Sequence, residues 1–382
     1  MSDVRQGESL RSVARRYEVS LSTVQHWCTR AAGQRLDRVA WQDLPKSTSH
    51  SRRTPAALER TILTLRKQLQ ERSALGEYGA SAILRELKQR GIEQPPGIRT
   101  IGRILARHGV LDGRRRTRRP PPPKGWYLPD VAAQQAELDS FDTIEGLALR
   151  GGPHLTIFTG VSLHGGLIGV SPQRQVSAKS TVLALLERWH EFGLPGYAQF
   201  DNDNRFTGPR QYPNAIGRVI RLCLSLEIIP VFAPPNETGF QAAIESLNGR
   251  WQDKVWARFE HATLRTLQNR SQRYVAADRE RRAARIEAAP NRTAIPRRWE
   301  LNLQQPLQGK IIYLRRTNDR GQVQVLGHAF PVDRAWVHRL VRAEVDLDHH
   351  RIRVFALRRR EPEHQPILKE IEFTLPNRVF KE

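Results

Sequence analysis

Three acidic residues stand where carboxylate chemistry can occur. Asp142 falls in a stretch that reads as a strand, Asp201 lies at the end of the strand-like segment GYAQFDN, just before Asn202, and Glu245 lies in a helical stretch. Ligands of open α/β sheets bind beyond the C-terminal ends of strands, which favours Asp201. Carboxylates are hard oxygen donors suited to Mg²⁺ or Mn²⁺, and no Cys/His cluster in the sequence competes for a softer metal. Two such ions about 3.5–4 Å apart can activate a water or hydroxyl and stabilise the leaving oxygen of a phosphodiester. Three converging carboxylates repel one another unless cations lie between them. Asp139 competes for the first position. It shares a strand with Asp142, and side chains three apart on a strand face opposite sides, so only one of the two can face a site.

The elements that must position these acids follow from periodicity. Residues 136–149 read as a strand, and 154–170 as two strands around a His164-Gly165-Gly166 turn. A helix over 178–192 puts Val182, Leu185, Leu186 and Trp189 on one face. A strand at 196–202, a helix near 214–226, a strand at 228–235 and a long helix from about 239 complete the segment. The order βββ-α-β-α-β-α predicts a mixed sheet covered by helices on both faces over 129–290. In the last helix Phe240, Ile244, Leu247 and Trp251 make a buried stripe with Glu245 at its edge.

The segments FDNDNRF (200–206) and PPNETGFQAAIESLNGRWQDKVW (234–256) resemble the catalytic motifs of the Asp-Asp-Glu transposase and retroviral-type integrase family, in particular bacterial insertion-sequence transposases. Asp201, Asn202 and Phe206 match the family's Asp-Asn-Gly-x-x-Phe. The family's glutamate follows a proline-glycine stretch, carried here by Pro235 and Gly239-Phe240, and falls on Glu245. Thr143-Ile144-Glu145-Gly146 and the Gly151-Gly152 turn follow Asp142 as they do in the family, which makes Asp142 the first acid and Asp139 the fallback. The resemblance implies an RNase H-like core with Asp142, Asp201 and Glu245 as catalytic and metal-binding residues, holding two Mg²⁺ or Mn²⁺ ions. It implies 3′-end cleavage and strand transfer on double-stranded DNA, both element ends and target, by a homo-oligomer assembled on the DNA. It also implies paired N-terminal helix-turn-helix units and a small C-terminal β-barrel.

This chain departs from the pattern twice. Asp203 replaces the glycine after Asp-Asn, so it is expected to strain the turn or to add a charge near the metals. Between Asp201 and Glu245 lie 43 residues, more than is usual among such insertion-sequence enzymes, and the surplus is placed in a surface loop, TGPRQYPNAIG (207–217). The first departure motivates an alternative, a catalytically impaired, transposase-derived protein that binds specific DNA without cutting it. A structure-specific RNase H-like nuclease is a third reading.

The flanking segments read as a multidomain chain, all-α at the N-terminus and all-β at the C-terminus. Residues 1–50 hold two short helices around a tight turn, with Ser20 or Ser22 as N-cap of the second. A recognition helix of this kind presents Ser22, Thr23, Gln25 and His26 to base edges. Residues 54–112 form a second helical unit, with apolar stripes of Leu58, Ile62, Leu65 and Leu69, of Ile83, Leu84 and Leu87, and of Ile98, Ile101, Ile104 and Leu105, and with Arg99 and Arg103 beside the last. Residues 113–128 read as a basic, proline-rich linker. Five short strands over 300–382 suggest the small barrel, decorated by Arg315, Arg316, Arg351, Arg353 and Arg358–Arg360.

The charge balance agrees with a polyanionic partner: 62 Lys+Arg against 39 Asp+Glu give a formal +23. No apolar run approaches the roughly 20 residues that span a bilayer, so a membrane protein is excluded. The first residues lack the apolar core of a signal peptide, and two cysteines make no disulfide framework. A cytoplasmic, nucleoid-associated protein is therefore expected.

Overall fold

The computed structural model describes residues 1–42, 54–111, 124–209, 211–237, 239–376 and 380. The chain divides into two units, Met1–Leu58 and Glu59–Glu382. In the first, α1 (Ser2–Arg5), α2 (Leu10–Arg16) and α3 (Leu21–Ala31) pack Val13, Ala14 and Val24 against Val4, Leu10 and Cys28. Ser9 caps α2 by accepting from Ser12 N, and Ser20 caps α3 by accepting from Thr23 N. The four residues Tyr17–Ser20 join these two helices, and Glu18 takes a left-handed φ of 52° to make the turn. Residues 43–50 of the expected first domain lie outside the described residues.

The second unit opens within α4 (Ala56–Arg72) and continues with α5 (Ala80–Gln89) and α6 (Ile98–Arg107). The buried apolar residues of these helices are Ile62, Leu65, Ile83, Leu87, Ile101, Ile104 and Leu105. Gly91 and Gly109 follow α5 and α6 with φ of +76° and +66°, a C-terminal stop that glycine adopts without steric cost. Residues 113–123 of the expected linker lie outside the described residues. The linker's expected last residues, Trp126, Tyr127 and Leu128, are core instead: they are buried in one cluster with Val231, Phe240, Leu314 and Leu340. The short α7 (Pro129–Ala132) follows.

The central elements are β1 (Leu138–Ala148), β2 (His154–Ser162), β3 (Ile168–Gln173), α8 (Ala178–Phe192), β4 (Tyr197–Phe200), α9 (Asn204–Thr207), α10 (Arg218–Ser225), β5 (Ile229–Phe232), α11 (Ala242–Trp251), α12 (Leu264–Arg281) and α13 (Ala283–Glu287). β1, β2 and β3 are antiparallel neighbours, while β4 runs parallel to β1 and β5 parallel to β4. On one face α8 and α10 bury Trp189, Val219 and Cys223 against Phe141 and Phe200. On the other, α11 and α12 bury Ile244, Trp251 and Tyr274 against Ile144 and Ile157. This mixed sheet with helices on both faces fits the RNase H-like core expected.

The remaining strands are β6 (Lys310–Arg316), β7 (Gln322–Val325), β8 (His328–Pro331), β9 (Leu340–Asp346), β10 (Arg351–Ala356) and β11 (Ile367–Glu372). They do not close into a separate small barrel, contrary to expectation. β6 pairs in parallel with β5 through Val231↔Ile312 and Phe232↔Tyr313, and one sheet runs β11-β10-β9-β6-β5-β4-β1-β2-β3. The reason lies in the run Ile311-Ile312-Tyr313-Leu314, buried at all four positions. Such a run belongs to an interior strand covered on both faces, whereas a strand with one wet face alternates. Residues 322–331 form a hairpin, β7–β8, turning at Leu326-Gly327 with both φ values positive. Among the described residues, no helix is long and apolar enough to cross a membrane.

Candidate active site

The two candidate first acids occupy opposite faces of β1. Asp139 is fully buried, and two arginines grip it: Arg188 of α8 through Nε (3.0 Å) and Nη2 (3.3 Å), and Arg292 through Nη2 (2.5 Å) and Nη1 (3.2 Å). Burial alone would push its carboxyl up, but the two guanidinium charges hold it well below the usual carboxylate range. Asp142 is partly buried. Its Oδ1 accepts from Thr143 N at 2.7 Å and its Oδ2 from Asn248 Nδ2 at 2.7 Å, both neutral donors. Burial pushes the Asp142 carboxyl up to about 6, and the charges of Asp201 and Glu245 push the same way, against the two hydrogen bonds.

Strand register brings Asp201 to Asp142. β1 and β4 run in parallel with Asp139↔Ala198 and Ser140↔Gln199, and extending that register by two residues sets Asp142 beside Asp201. Asp201 Oδ1 accepts from Asp203 N at 2.9 Å. Asn202 fixes the same turn from the other side: its Nδ2 donates to Ala233 O at 2.6 Å, and its Oδ1 accepts from Arg315 Nη2 of β6 at 2.7 Å.

Glu245 is exposed in the first turn of α11, a helix anchored by the fully buried Ile244, Leu247 and Trp251. Asn248, one turn on and therefore on the same side, makes the polar contact with the sheet. Besides donating to Asp142, its Oδ1 accepts from the Thr159 hydroxyl at 2.8 Å. Upstream, the buried Tyr127 hydroxyl donates to Gln199 Oε1 (2.8 Å) and lies 3.1 Å from Phe240 O, to which Gln199 Nε2 also donates at 3.2 Å. These bonds tie the approach to α11 to β4, the strand that delivers Asp201. Trp251 and Trp256 stack at 6.5 Å within the core.

Asp201 and Glu245 thus act electrostatically on Asp142. Among the described residues, however, no three His, Cys, Asp or Glu side chains stand close enough together to hold a metal ion. They share a field rather than a cage. In kind, three hard oxygen donors suit Mg²⁺ or Mn²⁺, and a carboxyl raised by burial and, less, by neighbouring carboxylates is one that a cation relieves.

Asp203 neither strains its turn nor adds an uncompensated charge, contrary to expectation. Its φ of −63° and ψ of 146° are ordinary for an N-cap, and its side chain caps α9 by accepting from Arg205 N. Arg205 Nε and Nη2 then bind its two carboxylate oxygens, each at 2.8 Å. The surplus residues of 207–217 dock on the β7–β8 hairpin, with Asn214 N donating to Leu326 O at 2.9 Å and Asn214 Oδ1 lying 3.0 Å from His328 Nε2. Gly217 N donates to Thr207 O at 3.1 Å, and the close backbone approach of Gly208 to Gly217 leaves no room for a Cβ at either.

The expected DNA contacts are placed as follows. Ser22, Thr23, Gln25 and His26 are all exposed on α3, with the Ser22 and Thr23 hydroxyls 2.8 and 2.7 Å from Ser20 Oγ at the cap. Arg99 and Arg103 are exposed on α6. Arg250 of α11 lies 3.7 Å from the fully buried Asp278. The C-terminal arginines are largely engaged: Arg351 and Arg353 pair with Asp346, Arg353 also with Glu344, and Arg316 with Glu237. Sequence reasoning missed the roles of Asn248, Gln199, Tyr127 and Arg205. Asn248, three beyond Glu245, and Arg205, two beyond Asp203, left local signals in their spacing.

No protein-family model matches the chain, and no curated protein matches it. Among solved structures it is similar to the catalytic core domain of BIV integrase, at 18% identity over 37% of this chain and 81% of that one, with a TM-score of 0.29. It is similar at 12% identity to a chain of a simian T-cell lymphotropic virus intasome, over 69% of this chain and 84% of that one, with a TM-score of 0.35. It is also similar to the HTLV-2 integrase catalytic core domain in complex with magnesium, at 16% identity over 35% of this chain and 81% of that one, with a TM-score of 0.27.

Proposed function

We propose that the chain is a DDE-type polynucleotidyl transferase of the insertion-sequence kind, which binds element-end double-stranded DNA, cleaves its 3′ ends and joins them to target DNA. One observation carries this reading: Asp142 is held by neutral donors in the field of Asp201 and Glu245, with its carboxyl pushed up to about 6. Asp142, Asp201 and Glu245 would hold two Mg²⁺ or Mn²⁺ ions, which when bound polarise the scissile phosphate and activate the attacking oxygen. The chain's own residues orient the acids: Thr143 and Asn248 aim Asp142, and Gln199 and Tyr127 fix the start of the helix that carries Glu245.

DNA is engaged by Ser22, Thr23, Gln25 and His26 of α3 and by Arg99 and Arg103 of α6, in a homo-oligomer that pairs two ends. Such a protein works in the cytoplasm, on the nucleoid. The reading of a protein that binds without cutting loses its motive, because Asp203 is a paired N-cap. The test is strand transfer of labelled duplex ends with Mg²⁺ or Mn²⁺. Asp142→Asn, Asp201→Asn and Glu245→Gln are expected to abolish it while leaving DNA binding intact, and undiminished joining by any of the three overturns the assignment.

A further inference from the structure

Arg205 reaches further than its cap. The Nη2 that binds Asp203 Oδ2 also lies 2.7 Å from Glu145 Oε1 and 3.2 Å from Thr143 Oγ1, both on β1. The backbone N–H of Thr143 donates to Asp142 Oδ1, and that of Asp203 donates to Asp201 Oδ1. One guanidinium therefore spans residues one and three beyond one candidate metal ligand and the residue two beyond the other. The side chain is only 20% exposed, and the carboxylates around it raise its pKa, so its charge is permanent.

We propose that Arg205 is a positioning residue, and that the Asp203–Arg205 pair fixes the spacing of Asp142 and Asp201 while cancelling the charge that Asp203 brings to the site. A glycine after Asp-Asn leaves a turn free to move. Aspartate with a bidentate arginine makes it rigid and adds no net charge. This rests on the metal-dependent reading above.

The two duties separate experimentally. Arg205→Ala removes the fork and leaves Asp203 and Glu145 without it. Cation capture should then tighten, about 3-fold in the Mn²⁺ dissociation constant read by electron paramagnetic resonance of free Mn²⁺, because the site gains net negative charge. Single-turnover cleavage should fall about 10–100-fold, because the two acids are no longer held in register. A merely structural role would weaken both. Arg205→Lys keeps the charge without the fork, so Mn²⁺ binding should stay at the wild-type level while cleavage remains slow. Asp203→Gly combined with Arg205→Ala removes both charges of the pair, so Mn²⁺ affinity should return to within about 2-fold of wild type while cleavage stays slow. If Arg205→Ala leaves both readouts unchanged or weakens both, or if the double variant keeps the tighter Mn²⁺ binding of Arg205→Ala, the proposal is overturned. A wild-type protein that neither binds Mn²⁺ nor cleaves overturns the metal-dependent reading instead, which is a distinct result.

Discussion

Asp139 and Asp142 are the same residue type on the same strand, three positions apart, and the protein treats them oppositely. Asp139 meets two guanidinium groups in a fully buried pocket, and its charge is satisfied on folding. Asp142 meets an amide, a backbone N–H and two further acids, and its charge is resisted. One face of β1 has supplied its own cations. The other sets Asp142 in the field of Asp201 and Glu245 with neutral donors alone at its two oxygens. That contrast in environment is invisible to composition.

The sharpest way to break this comparison is to remove each charge in turn. Asp142→Asn should cost strand transfer at least about 10³-fold, about 4 kcal/mol of transition-state stabilisation, with the melting temperature unchanged or raised. Asp139→Asn should do the reverse. It leaves Arg188 and Arg292 buried without their acid, a loss of about 3–5 kcal/mol in unfolding free energy measured by urea titration. If the Asp139 variant kept its stability and lost only activity, the roles assigned to the two faces would be exchanged.

A smaller effect separates them by ligand. Adding Mn²⁺ at about 100 times its dissociation constant should stabilise the wild type by about 2.7 kcal/mol, seen as a rise in melting temperature. Asp142→Asn should lose most of that rise. A variant of Asp139, if it folds, should keep it, because its pocket already holds two positive charges. An equal response in all three proteins would place the cation elsewhere.

How far the sequence reveals this depends on the range of the interaction. Local periodicity locates the strands that carry Asp142 and Asp201 and the helix that carries Glu245, because alternation and the 3.6-residue stripe are short-range. The parity of β1 puts Asp139 and Asp142 on opposite faces. It does not show which face holds arginines, since Arg188 and Arg292 come from 49 and 153 residues away. The same distance hides the union of β6 with β5. The segment reads correctly as a strand, and its unbroken apolar run hints at burial on both faces, yet Ile312 finds its partner far upstream at Val231. Asp203 shows the opposite limit. Set against a family pattern it looks like a defect, while its compensation by Arg205 needs only two residues and the geometry of an N-cap.

The smallest effect is the most diagnostic of sign. Asp139 has a carboxyl lowered by its arginines, so the stability it contributes is fully present above the unfolded value, near 4, and is lost as pH falls from there through its lowered native value. Asp142 is raised from 3.8 to about 6, so its contribution is present below pH 4 and is lost as pH climbs through 6. Between about pH 4 and 6 the two aspartates therefore act differently: Asp139 is already ionised and flat, while Asp142 makes the fold less stable with each rise in pH. The change attributable to Asp142 is about 1–2 kcal/mol, allowing for its partial exposure. Urea midpoints taken across that window should fall less steeply in Asp142→Asn than in the wild type. Saturating Mg²⁺ should flatten the wild-type slope as well, because a cation replaces the proton as the partner of the carboxylate. A slope indifferent to both the substitution and the cation would mean that Asp142 is solvated like any surface acid, and the contrast between the two faces of β1 would collapse.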